Sequence, residues 1–301
     1  MGLFYPQKSK DSNSSLKCDL ALEFLLYQVK KWHSHFLTWR LLLGLVFNSQ
    51  KCCPTFVNWY YWFLLLGAIA FKNMTRRIFT DFDGPIMDVS DRYYQVYLYC
   101  SEKIARPTQE LKILSKSEFW ELKRSQVPEK EIANLTGFIE EKQAIAFAHL
   151  RRATVHTDPY FAYDQILENA VPALEKAQAA GIDLAVMTMR RRRELEPVLD
   201  RYNLRRFFNS DRIFCLDDDY VKTVDTQDKP KLMKLAQTQL PSVQEQWMIG
   251  DTEADIIAAQ TYNVPAIAVL SGIRNHTQII KYKPNQIVSN LFAAITNILE
   301  R

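Results

Sequence analysis

The stretch Asp81-Phe82-Asp83-Gly84-Pro85, set directly after the apolar run Ile78-Phe79-Thr80, constrains this 301-residue chain more than any other segment. Such a run, followed at once by Asp-x-Asp-Gly, reads as a buried strand that ends where the chain turns. Both carboxylates then face the crevice beyond the strand's carboxyl end, where open α/β sheets bind ligands. Two like charges so close together are costly to bury unless a cation or a proton reconciles them. The pair asks for a metal ion, and for chemistry in which one carboxylate attacks while the other handles a proton. The plain alternative is an Asp-Gly turn with no further role.

A second signal is Trp247-Met248-Ile249-Gly250-Asp251-Thr252-Glu253-Ala254-Asp255, which runs into Ile256-Ile257-Ala258-Ala259. A short apolar strand ends in Gly-Asp and an Ala-rich helix begins at once. Asp255 falls in the first helical turn, where a carboxylate is favourable in any case, and it can face back toward Asp251. Capping does not account for Asp251 at the strand's end. Hard oxygen donors from separate strand ends suit Mg²⁺, which takes one or two carboxylates and keeps waters and substrate oxygens. No clustered Cys/His pattern suggests zinc.

Two weaker pieces lie between. Residues 182–188, Ile-Asp-Leu-Ala-Val-Met-Thr, read as a buried strand ending in the hydroxyl of Thr188. Asp228-Lys229-Pro230-Lys231-Leu232 places a cation before another helix. Taken singly, each is an ordinary structural feature. In chain order they complete a set: Asp-x-Asp, Thr, Lys, then Gly-Asp-x-x-x-Asp.

That ordered set resembles the haloacid dehalogenase superfamily of hydrolases, from about Met74 to the C-terminus. The resemblance implies Asp81 as the nucleophile that becomes an aspartyl phosphate and Asp83 as the general acid/base. It implies that Thr188 hydrogen-bonds the phosphoryl group, with Met189 and Arg190 beside it in the substrate site. Lys229 would hold the nucleophile and phosphate charges; Lys231 is its rival, and Lys229 is preferred because Pro230 and Leu232 follow it in the family's spacing. The implied Mg²⁺ ligands are Asp81, the backbone carbonyl of Asp83, and Asp251, with Asp255 a further ligand or a partner behind them. An acid two residues after the nucleophile implies phosphatase or phosphomutase work rather than dehalogenation.

Residues 90–164 carry apolar residues at three- and four-residue spacings over 91–105, 117–126, 128–135 and 138–152, which predicts helices. A helical insertion here resembles the cap that closes over the family's core. Arg92, Tyr93, Tyr94, Lys123, Arg124, Arg151 and Arg152 are its candidate substrate contacts, against the plain expectation that they are solvated helix faces. Arg190 to Arg193 form a run of four arginines. Charge argues against a nucleic-acid patch, because residues 74–301 hold 30 Lys/Arg against 31 Asp/Glu. Arg190 is a candidate phosphate contact, and the other three predict a solvated first helical turn.

The net charge of +4 originates in residues 1–73, with eight Lys/Arg against three Asp/Glu and no acid from Phe24 to Thr80. The apolar stretch 56–71 falls short of the ~20 residues of a spanning helix, although its Trp and Tyr would suit an interface. Three expectations stay open for this extension: a weak membrane contact through residues 36–71, a poorly ordered leader, or residues outside the working protein, which would begin near Met74. The five cysteines show no disulfide spacing, so the cytoplasm is the default compartment.

The expected fold is α/β: a doubly wound, mainly parallel sheet with strands near 77–81, 182–188, 212–216, 246–250 and 265–270. Residues 74–89 and 165–301 would form the core and 90–164 the helical cap. The expected function is Mg²⁺-dependent hydrolysis of a small phosphorylated metabolite. The alternatives are a phosphomutase acting on a sugar phosphate and a non-catalytic module of the same fold tethered at a membrane.

Overall fold

A computed structural model describes residues 76–301. The expectations for the basic, apolar leader and for Met74 as a starting point lie outside the described residues. The elements run β1 (Arg76–Thr80), β2 (Met87–Asp88), α1 (Ser90–Ile104), α2 (Lys116–Arg124), α3 (Glu129–Thr136), α4 (Glu141–Thr154), β3 (Gln165–Ile166), α5 (Ala170–Ala179) and β4 (Asp183–Arg191). They continue as α6 (Arg192–Arg201), β5 (Ile213–Leu216), α7 (Asp225–Gln239), β6 (Glu245–Gly250), α8 (Glu253–Thr261), β7 (Ala266–Val269), α9 (His276–Ile279), β8 (Gln286–Val288) and α10 (Leu291–Leu299).

Six strands form one sheet in the order β5-β4-β1-β6-β7-β8, and every neighbouring pair is parallel. Strand side chains alternate between the two faces, and both faces are covered. Ile78, Leu184, Val186, Ile249 and Ile267 pack with apolar residues of α5, α6 and α10. Phe79, Ala185, Met187, Met248 and Ala268 pack on the opposite side with residues of α7 and α8. This is the doubly wound α/β core that near-continuous apolar strands separated by helices demand. The chain leaves β1 toward β4 and β5 and later returns to β6 on β1's other side. The crevice at that reversal, beyond the carboxyl ends of β1, β4 and β6, is where such sheets take ligands.

Helices α1 to α4 form a separate layer around Val96, Tyr97, Phe119, Ile132, Phe138 and Phe147. Tyr97 stacks on Phe119 at 4.7 Å between ring centroids. A capping box starts α2, Ser115 Oγ accepting from Glu118 N while Glu118 returns the bond to Ser115 N. The chain enters and leaves this layer side by side, through the antiparallel pair β2–β3 with Met87 opposite Ile166.

Three boundaries differ from expectation. Strand β8 has only three half-buried residues, too few to carry a pattern. Strand β4 continues through Arg190 and Arg191, and Arg191 is still paired with Leu216 of β5. Arg191 is therefore a strand residue rather than part of the first helical turn, while Arg192 and Arg193 begin α6 as expected. Lys229 lies inside α7 rather than ahead of it. The helix begins earlier because the buried Asp228 carboxylate accepts from Thr223 N at 2.8 Å, Thr223 Oγ1 at 3.0 Å and Tyr220 Oη at 2.8 Å, which ties the incoming loop to the first turn. Among the described residues no helix is long and apolar enough to cross a membrane.

Candidate active site

Asp81 is the first residue past β1. Its N–H donates to the Ile249 carbonyl at 2.8 Å and so continues the ladder into the loop. One carboxylate oxygen accepts from the N–H of Phe82 at 2.7 Å, and the other meets Lys229 Nζ at 2.8 Å. Lys229, buried in α7, also pairs with Asp255. Asp255 caps its own helix: its other oxygen accepts from Thr252 N at 3.0 Å and Thr252 Oγ1 at 2.8 Å. Asp251, at the end of β6, accepts from the N–H of Ile273 at 2.6 Å. Carboxylate oxygens of Asp81, Asp251 and Asp255 lie within 4.8 Å of one another, and all three residues are buried.

Three carboxylates around one ammonium leave an excess of negative charge in a dry place. Burial outweighs the pull of Lys229 and, with the neighbouring Asp255 and Asp251 adding to it, raises the Asp81 carboxyl well above the ordinary carboxylate range. Burial and then Asp255 push Asp251 up to about 7. Lys229 is raised in turn, because the attraction of Asp255 and Asp81 exceeds the cost of its burial. Backbone glycines make room for the carboxylates. A Cβ at Gly84 or Gly272 would collide with the Asp251 side chain, and one at Gly250 with that of Asp255. Gly84 also sits at φ +91°, a conformation that favours glycine. Excess negative charge, hard oxygen donors and space cleared of side chains fit a divalent cation of the Mg²⁺ type. Asp81 and Asp251 are the residues that would hold it, with Asp255 adjoining.

Asp83 points elsewhere. Arg190 donates to one of its oxygens, Nε at 2.9 Å and Nη2 at 2.5 Å, and Arg92 Nη2 donates to the other at 3.1 Å. The same two guanidiniums meet the fully buried Asp164, Arg190 at 2.5 Å and Arg92 at 3.0 Å. Aromatic faces cover the cations. Phe161 lies 4.9 Å from the Arg92 guanidinium and 5.4 Å from that of Arg190, and Phe82 lies 5.1 Å from Arg190. Burial alone would raise Asp83, but Arg190 and then Arg92 overcome it and hold the carboxyl at about 2.

Thr188, Met189 and Arg190 line one cleft with Asp81, Asp83, Lys229 and Asp251. Thr188 Oγ1 accepts from the N–H of Arg190 at 3.2 Å, so its hydroxyl proton stays free to donate. Lys231 is exposed and pairs with Asp228 at 2.9 Å, away from Asp81. The arginine run is dispersed: Arg190 goes to the acids above, Arg191 to the Tyr220 carbonyl and Arg192 to Glu196.

Of the cap candidates, Tyr93 alone lines this cleft. Arg124 donates to the Leu270 carbonyl at 3.0 Å and Tyr94 to that of Leu114 at 2.9 Å. Lys123 and Arg151 both pair with Glu129. Asp164, Phe161, Gly272, Ile273 and Arg274 are site residues that sequence reasoning missed. For Gly272 the Ser-Gly-Ile turn after an apolar strand was a usable signal; Asp164 gives none, because it acts only through two arginines distant in sequence.

One family model, described as "Hydrolase: haloacid dehalogenase-like hydrolase", matches residues 75–262. No curated protein matches the chain. Among solved structures, a predicted phosphatase from Clostridium acetobutylicum is 20% identical, with a TM-score of 0.54 over 76% of this chain and 100% of that one. A predicted phosphoglycolate phosphatase from Haemophilus somnus is 16% identical, with a TM-score of 0.52 over 75% of this chain and 98% of that one. At these identities the likeness is one of fold.

Proposed function

Because this chain belongs to the haloacid dehalogenase-like hydrolases, we propose that it is a Mg²⁺-dependent phosphatase that hydrolyses a small phosphorylated metabolite through an aspartyl phosphate on Asp81. The supporting observation is the buried contact of Asp81 with Lys229 at 2.8 Å inside a cluster of three carboxylates. When bound, Mg²⁺ supplies charge that offsets the repulsion between a carboxylate and a phosphate dianion.

The residues divide the remaining work. An Asp81 oxygen attacks phosphorus and the bond from phosphorus to the alkoxide oxygen breaks. Lys229 keeps its proton and balances the charge that builds on the transferring oxygens. Thr188 donates its hydroxyl to one of them. Asp83 gives a proton to the leaving alkoxide and recovers it from the water that attacks the aspartyl phosphate, which frees Asp81 and inorganic phosphate. At about 2 the resting Asp83 is a carboxylate, so it serves as an acid only after losing part of its arginine pairing and taking up a proton from solvent. An incoming phosphate, itself an Arg ligand, draws Arg190 away and so prepares Asp83.

The test is phosphate release from a panel of phosphate monoesters by the full chain, with Mg²⁺ and with EDTA. Release that needs Mg²⁺ and is absent from Asp81→Asn is the expected result. A panel without turnover at any Mg²⁺ concentration overturns it.

A further inference from the structure

The catalytic cleft has a volume of about 160 Å³. Sites that enclose a whole metabolite commonly run ~300–1,000 Å³. The cleft therefore takes a phosphoryl group and little more, and the leaving group has to extend out of it. A larger cavity of about 520 Å³ adjoins it, and Arg274 is a wall of both. Arg274 is fixed there by two bonds to Glu253, at 2.8 and 2.9 Å, and Gln126 donates to the same carboxylate at 3.1 Å.

The far side of this cavity is built from the cap. Ile145, Ala148, His149 and Arg152 share one face of α4 at helical spacing, and the end of α2 and the start of α3 supply Lys123, Val127, Pro128, Glu129 and Lys130. Four cations, Lys123, Lys130, Arg152 and Arg274, line the cavity with one carboxylate, Glu129. Lys130 also pairs with Glu141 at 3.1 Å outside the lining and Arg274 with Glu253, which leaves Arg152 as the lining cation without an ion pair among the described residues. Glu129 is already committed to Lys123 and, at 2.9 Å, to Arg151 behind it. Arg151 is buried, and its Nε and Nη2 have no hydrogen-bond partner among the described residues. Arg152 and His149 make no hydrogen bond or ion pair among the described residues. Crowded cations show in the ammonium of Lys123, which burial and then Arg151 bring down to about 8.

We propose that this cavity is the leaving-group subsite and that it takes a second anionic group, a carboxylate or a phosphate, at the end of the substrate remote from the hydrolysed ester. The inference rests on the phosphatase reading for its name, and on the cavity's charge for its ligand. The apolar atoms of Val127, Pro128, Ile145 and Ala148 cover the carbon chain between the two anions. Arg152, Lys130 and His149 hold the distal one.

The experiment measures binding of a ladder of ω-carboxyalkyl phosphates, and of alkyl phosphates of matched length, to the full-length Asp81→Asn protein by calorimetry. The wild type is assayed for turnover of both series in parallel. At the chain length that spans the two anion sites, the carboxylated member binds at least about tenfold tighter, the size of one charge-assisted bond. That ratio falls toward one in Arg152→Gln and, separately, in Lys130→Gln. Equal binding at every length, or a ratio undiminished in both variants, overturns the proposal. Free inorganic phosphate whose binding depends on Arg152, with no preference along the ladder, assigns the cavity to a separate anion and overturns the leaving-group subsite. A binding preference without turnover by the wild type defeats the phosphatase reading and leaves the anion subsite standing.

Discussion

The two halves of the cleft solve opposite electrostatic problems. On the β1–β6 side, Asp81, Asp251 and Asp255 share one ammonium. On the β4 side, Asp83 and Asp164 share two guanidiniums. The first half is short of positive charge, and Asp81 and Asp251 are pushed up; in the balanced second half, burial raises Asp164 while the two guanidiniums hold Asp83 down. Two acids separated by one residue thus have opposite protonation preferences because each strand-end turn faces a different set of neighbours. The deficient half is open to an outside cation. The balanced half is preorganised and needs a ligand only to loosen it.

The sharpest way to break this contrast is to neutralise one acid of each half. Asp81→Asn abolishes turnover with the fold intact, checked by phosphate release at saturating Mg²⁺ and by circular dichroism. Asp83→Asn slows the reaction by roughly 10²–10⁴-fold, the usual span for a general acid/base. Equal losses in the two variants would erase the division of labour.

Next in size is the metal. Asp251→Ala removes activity or raises the Mg²⁺ requirement sharply, and EDTA inactivates the wild type reversibly. The native state holds the Asp251 proton up to about 7, more tightly than the unfolded chain, whose carboxylates titrate near 3.9. In EDTA, stability therefore falls as pH rises from about 4 to about 7, at up to ~1.4 kcal/mol per unit. Asp251→Asn flattens that slope, and the rise in melting temperature on adding Mg²⁺ grows over the same interval. A slope unchanged in Asp251→Asn would show that the charge deficit lies elsewhere.

The balanced half is tested by unbalancing it. Asp164→Asn leaves two buried guanidiniums with one carboxylate and costs about 3 kcal/mol, as removal of one partner from a buried ion pair does, read by urea denaturation. Lys231→Ala is the smallest change. It removes an exposed cation from Asp228, and turnover and melting temperature stay at wild-type values. Loss of turnover would return Lys231 to the catalytic role that the position of Lys229 denies it.

Much of this was legible along the chain. Strand, turn and helix signals lie within a few residues of one another, so Ile78-Phe79-Thr80 with Asp81-Phe82-Asp83-Gly84 places a strand end and two acids without help from the rest of the fold. The same holds for Gly250-Asp251 and the helix capped by Asp255. Four cap helices follow from apolar spacing alone. Arg190 and Asp164 were not legible in the same way, because neither has a local pattern.

What the sequence determined by itself was therefore the class of fold, the order of its strands along the chain and the acids at two strand ends, since each depends on near neighbours. The tertiary structure decided their charge states. Lys229 reaches Asp81 across 148 positions of sequence and Arg190 reaches Asp83 across 107. A carboxyl's protonation depends on which cations stand within a few ångströms in a dry interior and on how deeply it is buried. Neither quantity exists until the sheet has brought β1, β4 and β6 side by side.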